Sequence, residues 1–197
     1  MPTPASDSWL VLAIPRGGVV IGAAVARVLG APLDLWLSMK IGAPGNPEFA
    51  IGAVSVDGEV TLDRPTIAML GIDRMTLDAA IVRKQAELER RAMAYRGTPD
   101  RVEVAGKSVI LVDDGIATGA TMLSALASLR RCGAARRVVA APVAPADVMP
   151  LLDAAADAVV VLHAPDRFEA VGAFYEAFEA VPDEEVIRLL QAARARG

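Results

Sequence analysis

Short apolar runs, each closed by glycine, proline or an acid, recur along this chain, and between them lie stretches with helical spacing. Trp9 to Ile14 is the first run; it stops at Pro15, Arg16, Gly17 and Gly18, after which Val19 to Leu29 carries a helical apolar face up to Gly30. Strand, loop and helix are predicted, with Gly30 as the stop. Pro32 introduces a second strand from Leu33 to Ser38, with Lys40 at its end, and the Gly/Pro-rich stretch from Gly42 to Glu48 is expected to be a mobile loop. Ala53 to Val56 and Glu59 to Leu62 flank Asp57-Gly58, the turn chemistry of a hairpin. From Asp73 to Tyr95 the spacing predicts one long helix, with Leu77, Ile81, Leu88, Ala92 and Tyr95 on one stripe and Arg83, Lys84, Arg90 and Arg91 mostly off it.

The second half repeats the plan more regularly. Val109 to Val112 is a strand, about Thr121 to Arg131 a helix, Arg137 to Ala141 a strand, Ala146 to Ala155 a helix and Ala158 to Leu162 a strand; a last helix starts near Asp183. Five buried strands with helical crossovers imply an α/β fold with a doubly wound, mainly parallel five-stranded sheet and ligands beyond the strands' carboxyl ends. One domain over 1–197 is expected: a core at about 9–162, an insertion with loop, hairpin and long helix at about 41–97, and a small hood or flap at about 163–197.

Composition narrows the function. The chain has 197 residues, 54% of them hydrophobic, which suffices for one sizeable core. A net charge of -4 argues against broad binding to nucleic acid or anionic membrane, and no apolar stretch reaches the roughly 18 residues of a membrane span. With Cys132 as the one cysteine and no leader-like pattern in Met1 to Ser8, a cytoplasmic protein acting on small molecules is expected.

The densest chemistry lies at 109–121: four apolar residues, the acids Asp113 and Asp114, then Gly115, Ile116, Ala117, Thr118, Gly119, Ala120 and Thr121 leading into a helix. Small residues let an anion approach backbone amides at a helix N-terminus, and the two threonines add hydroxyl donors. Paired carboxylates at a strand end suit vicinal sugar hydroxyls or a hydrated metal, and are costly to hold there otherwise. Together they point to a phosphorylated sugar. Gly106, Lys107 and Ser108 copy the end of a P-loop, but Arg101 stands where the first glycine is required and the triplet precedes a strand.

The segment from Val109 to Thr121 resembles the phosphoribosyl diphosphate (PRPP) signature of the type I phosphoribosyltransferases. The likeness extends from about Leu10 to Leu162 and includes the Pro15–Gly18 loop, the segment following Lys40, the long basic helix and the tail from Ala170 to Tyr175, features of an uncharacterised bacterial branch of the family. That branch usually has a helix before the first strand, where this chain has about eight residues. The resemblance implies a Mg2+-dependent transfer of ribose 5-phosphate from PRPP to a nitrogenous base or other amine, with release of diphosphate. Asp113 and Asp114 would fix the ribose and the metal, through water or ribose hydroxyls; Gly115 to Thr121 would hold the 5-phosphate. Arg16, Gly17, Gly18 and Lys40 would hold the leaving diphosphate, the first loop often through a non-proline cis peptide, and a homodimer is expected.

Two other functions fit part of the same pattern. A non-catalytic PRPP- or nucleotide-sensing protein would keep the cradle without the chemistry, and a phosphatase using Asp113 as nucleophile would need motif residues that are missing. Arg83, Lys84, Arg90 and Arg91 suit a solvated helix face, His163 a strand end without a catalytic task, and Cys132 a packed or surface thiol. Phe168, Phe174 and Tyr175 either stack on a base or, as is commoner for such a tail, complete a core.

Overall fold

A computed structural model describes residues 9–98 and 102–195. In chain order the elements are β1 (Trp9–Ala13), α1 (Gly18–Leu29), β2 (Leu33–Leu35), β3 (Ser38–Ala43), β4 (Asn46–Ser55), β5 (Val60–Leu62), α2 (Arg64–Met69) and α3 (Arg74–Arg96). They continue with β6 (Ser108–Val112), α4 (Ala120–Arg131), β7 (Arg136–Val143), α5 (Met149–Ala155), β8 (Ala158–His163) and α6 (Asp183–Arg194). The backbone forms two compact units, one from the described residues up to Trp36 and from Val102 on, the other beginning at Leu37.

The first unit is the expected α/β layer structure. Its five strands are all parallel in the order β2-β1-β6-β7-β8, with Val11 opposite Leu33 on one side and Ile110 on the other. The chain therefore winds outward from β1 to β2, returns to β6 beside β1, and winds the opposite way through β7 to β8. Right-handed crossovers then put α1 on one face and α4 and α5 on the other. The switch point, where a crevice opens at the carboxyl ends of the strands, falls between β1 and β6.

Every residue of β6 is buried, as a central strand covered on both faces requires, and Leu12, Leu111, Leu126, Leu129 and Leu152 form much of the core around it. Gly22 lets α1 lie close to the sheet, because a Cβ there would stand 2.9 Å from the Cβ of Ala13. Gly30 ends α1 in the left-handed conformation, φ 61°, its amide donating to the carbonyl of Ala26.

The second unit is an antiparallel sheet, β3-β4-β5, on which α3 packs. The Asp57-Gly58 hairpin forms as expected, joining β4 to β5 with Gly58 at φ 85° and Val54 opposite Val60. Asp63 and Asp73 cap α2 and α3 by accepting from the amides of Thr66 and Thr76, and Gly97 ends α3 at φ 71°. On α3, Leu88, Ala92 and Tyr95 are buried, Leu77 and Ile81 half-buried, and Arg83, Arg90 and Arg91 exposed.

Three sequence expectations are corrected here. The second strand stops at Leu35, and Lys40 belongs instead to β3, opposite Ala53. Gly42 to Glu48 is no open loop: it supplies the end of β3, a Pro44-Gly45 turn with Gly45 at φ 77°, and the start of β4. Gly42 is required by strand pairing, since a Cβ there would fall 2.4 Å from the carbonyl oxygen of Pro47, beside a register shift that bends the hairpin. Helix α2 was not anticipated at all; its six residues are too few for a periodic signal, though Asp63 followed by Arg64-Pro65 is a helix-start pattern.

Candidate functional site at the switch point

Where β6 ends, the backbone leaves the sheet under tight control. Asp113 still donates its amide to the carbonyl of Ala140 (3.3 Å), and Ile116, buried, donates to the carbonyl of Val143 (2.9 Å). Both ends of the acid pair are thus held to β7. The side chain of Asp113 accepts from the amide of Asp114 at 2.9 Å, which orients its carboxyl within the turn. Gly115 fits under Val171, where a Cβ would lie 2.3 Å from a valine methyl. Gly119 turns the chain into α4 at φ 77°, Thr118 accepts from the amide of Ala120 at 3.4 Å, and Leu123 donates to the Gly119 carbonyl at 2.8 Å. The result is a cavity of about 160 Å³ lined by Asp113 and by 115–122 at the N-terminus of a twelve-residue helix. Ala117, Thr118, Ala120 and Thr121 are exposed around it. A helix start lined by small residues and hydroxyls is an anion-binding surface by its dipole and its amides.

The loop after β1 meets this cradle. Ile14 donates to the carbonyl of Val112 at 2.8 Å, so the Pro15–Gly18 turn rises beside the acid pair; its Pro15–Arg16 peptide is cis, as the resemblance anticipated for this loop. At Gly17 a Cβ would stand 1.7 Å from Oδ2 of Asp114, and at Gly18 one would stand 2.9 Å from the Asp113 Cα. Only glycines allow the two loops to abut. The N-termini of α1 and α4 therefore open on the same two carboxylates. Arg16, exposed at the rim, lies 3.6 Å from Oδ1 of Asp183 at the start of α6, a surface ion pair weak enough to yield to an arriving anion.

Burial, together with the neighbouring charge of Asp114, pushes the carboxyl of Asp113 up to about 8. Among the described residues neither acid has an ion-pair partner, and no set of three or more metal-ligating side chains gathers anywhere. Two adjacent acids with no cationic side chain beside them fit a divalent cation that brings most of its own ligands as water and substrate oxygens, in the manner of Mg2+. They do not fit a metal held by protein alone.

The structure thus brings together Arg16, Gly17, Gly18, Asp113, Asp114 and the whole 115–121 turn. Lys40 is an exposed residue of β3 in the other unit. His163 is exposed, its ring 5.4 Å from that of Phe174, which stacks on Phe168 at 5.4 Å. The expectation that these tail aromatics complete a core is corrected: Phe168, Phe174 and Tyr175 are half-buried and Phe178 is exposed, and the ring of Tyr175 pairs with that of Phe178 at 5.0 Å. One contact of Tyr175 was not foreseen. The hydroxyl of Tyr175 donates to the carbonyl of Asp114, and a tyrosine next to an aromatic pair gave no sign of it.

The fold and this crevice define a doubly wound α/β protein whose acid pair and two helix N-termini share the switch point. The phosphoribosyl transferase domain model matches residues 6–149, and the chain belongs to that family. Over 184 residues, 93% of this chain, it is 40% identical to a Mycobacterium tuberculosis protein named "Putative phosphoribosyl transferase Rv0571c". The chain spans 42% of that relative's length. A shorter stretch, 72 residues, is 33% identical to "Bifunctional protein PyrR" of Actinobacillus pleuropneumoniae, covering 36% of this chain and 40% of that one. The crystal structure of TT1426 from Thermus thermophilus superposes with a TM-score of 0.78 at 44% identity, over 94% of this chain and 88% of that one. Among the described residues no helix is long and apolar enough to cross a membrane.

Proposed function

We propose that this chain binds PRPP with Mg2+ and transfers its ribose 5-phosphate to a nitrogenous base or another amine, releasing diphosphate. The observation that carries this is the approach of Gly17 to the Asp114 carboxylate, which joins an anion loop, an acid pair and a phosphate cradle in one crevice. Each part matches one part of a phosphorylated, activated sugar. The 5-phosphate sits in the 115–121 turn at the α4 N-terminus, and the two acids accept from the ribose hydroxyls. Arg16 and the amides of Gly17 and Gly18 receive the diphosphate.

The bond from the anomeric carbon to the diphosphate oxygen breaks while the bond to the acceptor nitrogen forms. Positive charge grows on the ribosyl ring, facing Asp113 and Asp114, and negative charge grows on the leaving group, facing Arg16 and the α1 amides. Electrostatic preorganisation of this kind requires no protein nucleophile. Asp113 and Asp114 would hold Mg2+ through water or ribose hydroxyls, and the ion would supply neutralisation of the leaving group's negative charge. Burial and the neighbouring Asp114 charge raise the Asp113 carboxyl, so the anionic form that would accept from the ribose hydroxyls and hold a hydrated cation is favoured as pH rises.

Calorimetric titration of PRPP with and without Mg2+ tests the reading on the wild type and on Asp113→Asn/Asp114→Asn. Mg2+-enhanced binding lost in the double variant is expected, followed by diphosphate release on presenting a panel of nucleobases. A folded wild type that binds no PRPP sinks the proposal. Binding without diphosphate release across the panel favours a PRPP sensor.

A further inference from the structure

The segment between β8 and α6 contains one 3-10 turn, Val171–Phe174, and no other regular structure, yet it is bound to the most demanding turn in the molecule. Val171 covers Gly115, and the Tyr175 hydroxyl, one residue beyond the turn, donates to the carbonyl of Asp114 across 61 positions of sequence. The Tyr175 ring in turn lies 5.0 Å from that of Phe178, which rests against Gly172, where a Cβ would meet it at 2.8 Å. The Asp114–Gly115 peptide is therefore gripped by this segment, while Gly17 abuts the Asp114 carboxylate and the bonds to Ala140 and Val143 hold the turn to β7.

The geometry points to Tyr175 as a positioning residue for the turn that follows the acid pair: its hydroxyl fixes the Asp114 carbonyl, and so the plane of the Asp114–Gly115 peptide, in the orientation from which the 115–121 cradle departs beside the two carboxylates. This rests on the PRPP reading above. The reason lies in the local backbone. Between the amide bonds of Asp113 and Ile116 to β7, the Asp114–Gly115 peptide has no strand partner of its own, and a glycine on one side leaves it free to rotate. A flip of that peptide is taken up by ψ of Asp114 and φ of Gly115, the two torsions that set how the 115–121 turn leaves the acid pair. One hydrogen bond from a half-buried phenol suffices to select one orientation.

Two variants separate positioning from packing. Tyr175→Phe removes only the hydroxyl; Phe178→Leu trims the ring beneath it and keeps the bond. Tyr175→Phe is expected to raise the Kd for PRPP with Mg2+ roughly three- to tenfold, the effect of one hydrogen bond, while Phe178→Leu stays within about twofold. Amide exchange at 114–118, measured without ligand, is expected to quicken in Tyr175→Phe and not in Phe178→Leu. Equal Kd values for wild type and Tyr175→Phe, or equal losses in both variants, overturn the assignment. If the wild type binds no PRPP, the functional reading fails by itself, and exchange decides on the clamp: unchanged exchange in Tyr175→Phe overturns it too.

Discussion

The two units of this protein cover their central strands to different extents. In the parallel sheet β6 is buried at all five positions, while the edge strand β8 leaves Val160 and Leu162 exposed; in the antiparallel sheet the central strand β4 buries Ile51 and Val54 but leaves Phe49 exposed. A strand covered on both faces has its ends fixed by two neighbours, so the turn leaving β6 is hydrogen-bonded to β7 and packed against the turn leaving β1. The hairpin of β3 and β4 is held by its own pairing and by α3. Chemistry that demands fixed charges within a few ångströms belongs on the first kind of scaffold, because its side chains begin from strand ends that cannot shift separately.

The sharpest way to break this comparison is to hollow out the parallel unit. Leu111 is fully buried in the central strand, and Leu111→Ala is expected to cost about 3–4 kcal/mol in urea denaturation. A loss below about 1 kcal/mol would show that β6 is not the mechanical centre of the parallel unit.

A smaller effect distinguishes the site by pH. Since the carboxyl of Asp113 is raised from 3.8 to about 8 on folding, the native chain keeps a proton that the unfolded chain has lost over that interval. Stability must therefore fall as pH rises from about 4 to 8, with the full loss present above it. Asp113→Asn removes this slope and is expected to stabilise the ligand-free protein by at least about 1 kcal/mol near pH 8, because it removes a buried charge that faces Asp114. Melting temperatures across that pH range check it; parallel curves for wild type and variant would refute it. The second unit responds the other way. The threonine hydroxyl and amide bonds to Asp63 and Asp73 hold both carboxylates below their usual range, so their contribution is present at neutral pH and lost as pH falls through the acid range.

The smallest change is expected on the outer face of α3. Val82 is exposed, and Val82→Ala should leave stability within about 0.5 kcal/mol and PRPP affinity unchanged. A larger loss, measured by the same denaturation, would mean that this face is covered in solution.

The helices and strands of the parallel unit were legible because each announces itself locally: an apolar run such as Val109 to Val112, a stop such as Gly30, an acid pair followed by Thr118 and Gly119. The hairpin at Asp57-Gly58 was legible for the same reason, its turn chemistry being contained in two residues. Gly42 to Glu48 misled because composition cannot distinguish a glycine that loosens a loop from one that admits a neighbouring strand. Gly42 meets Pro47 across a bulge, and that pairing is absent from any local window.

By itself, then, the sequence determined which segments extend, which coil, and which residues carry charge or small size at a strand end, since these depend on spacing within a few residues. Only the tertiary structure decided that β1 lies beside β6, that Gly17 has to be bare because Asp114 is there, and that the Tyr175 hydroxyl finds the Asp114 carbonyl. Those facts are distances between residues far apart in the chain, and they follow from the order in which strands pair and the side on which each crossover packs.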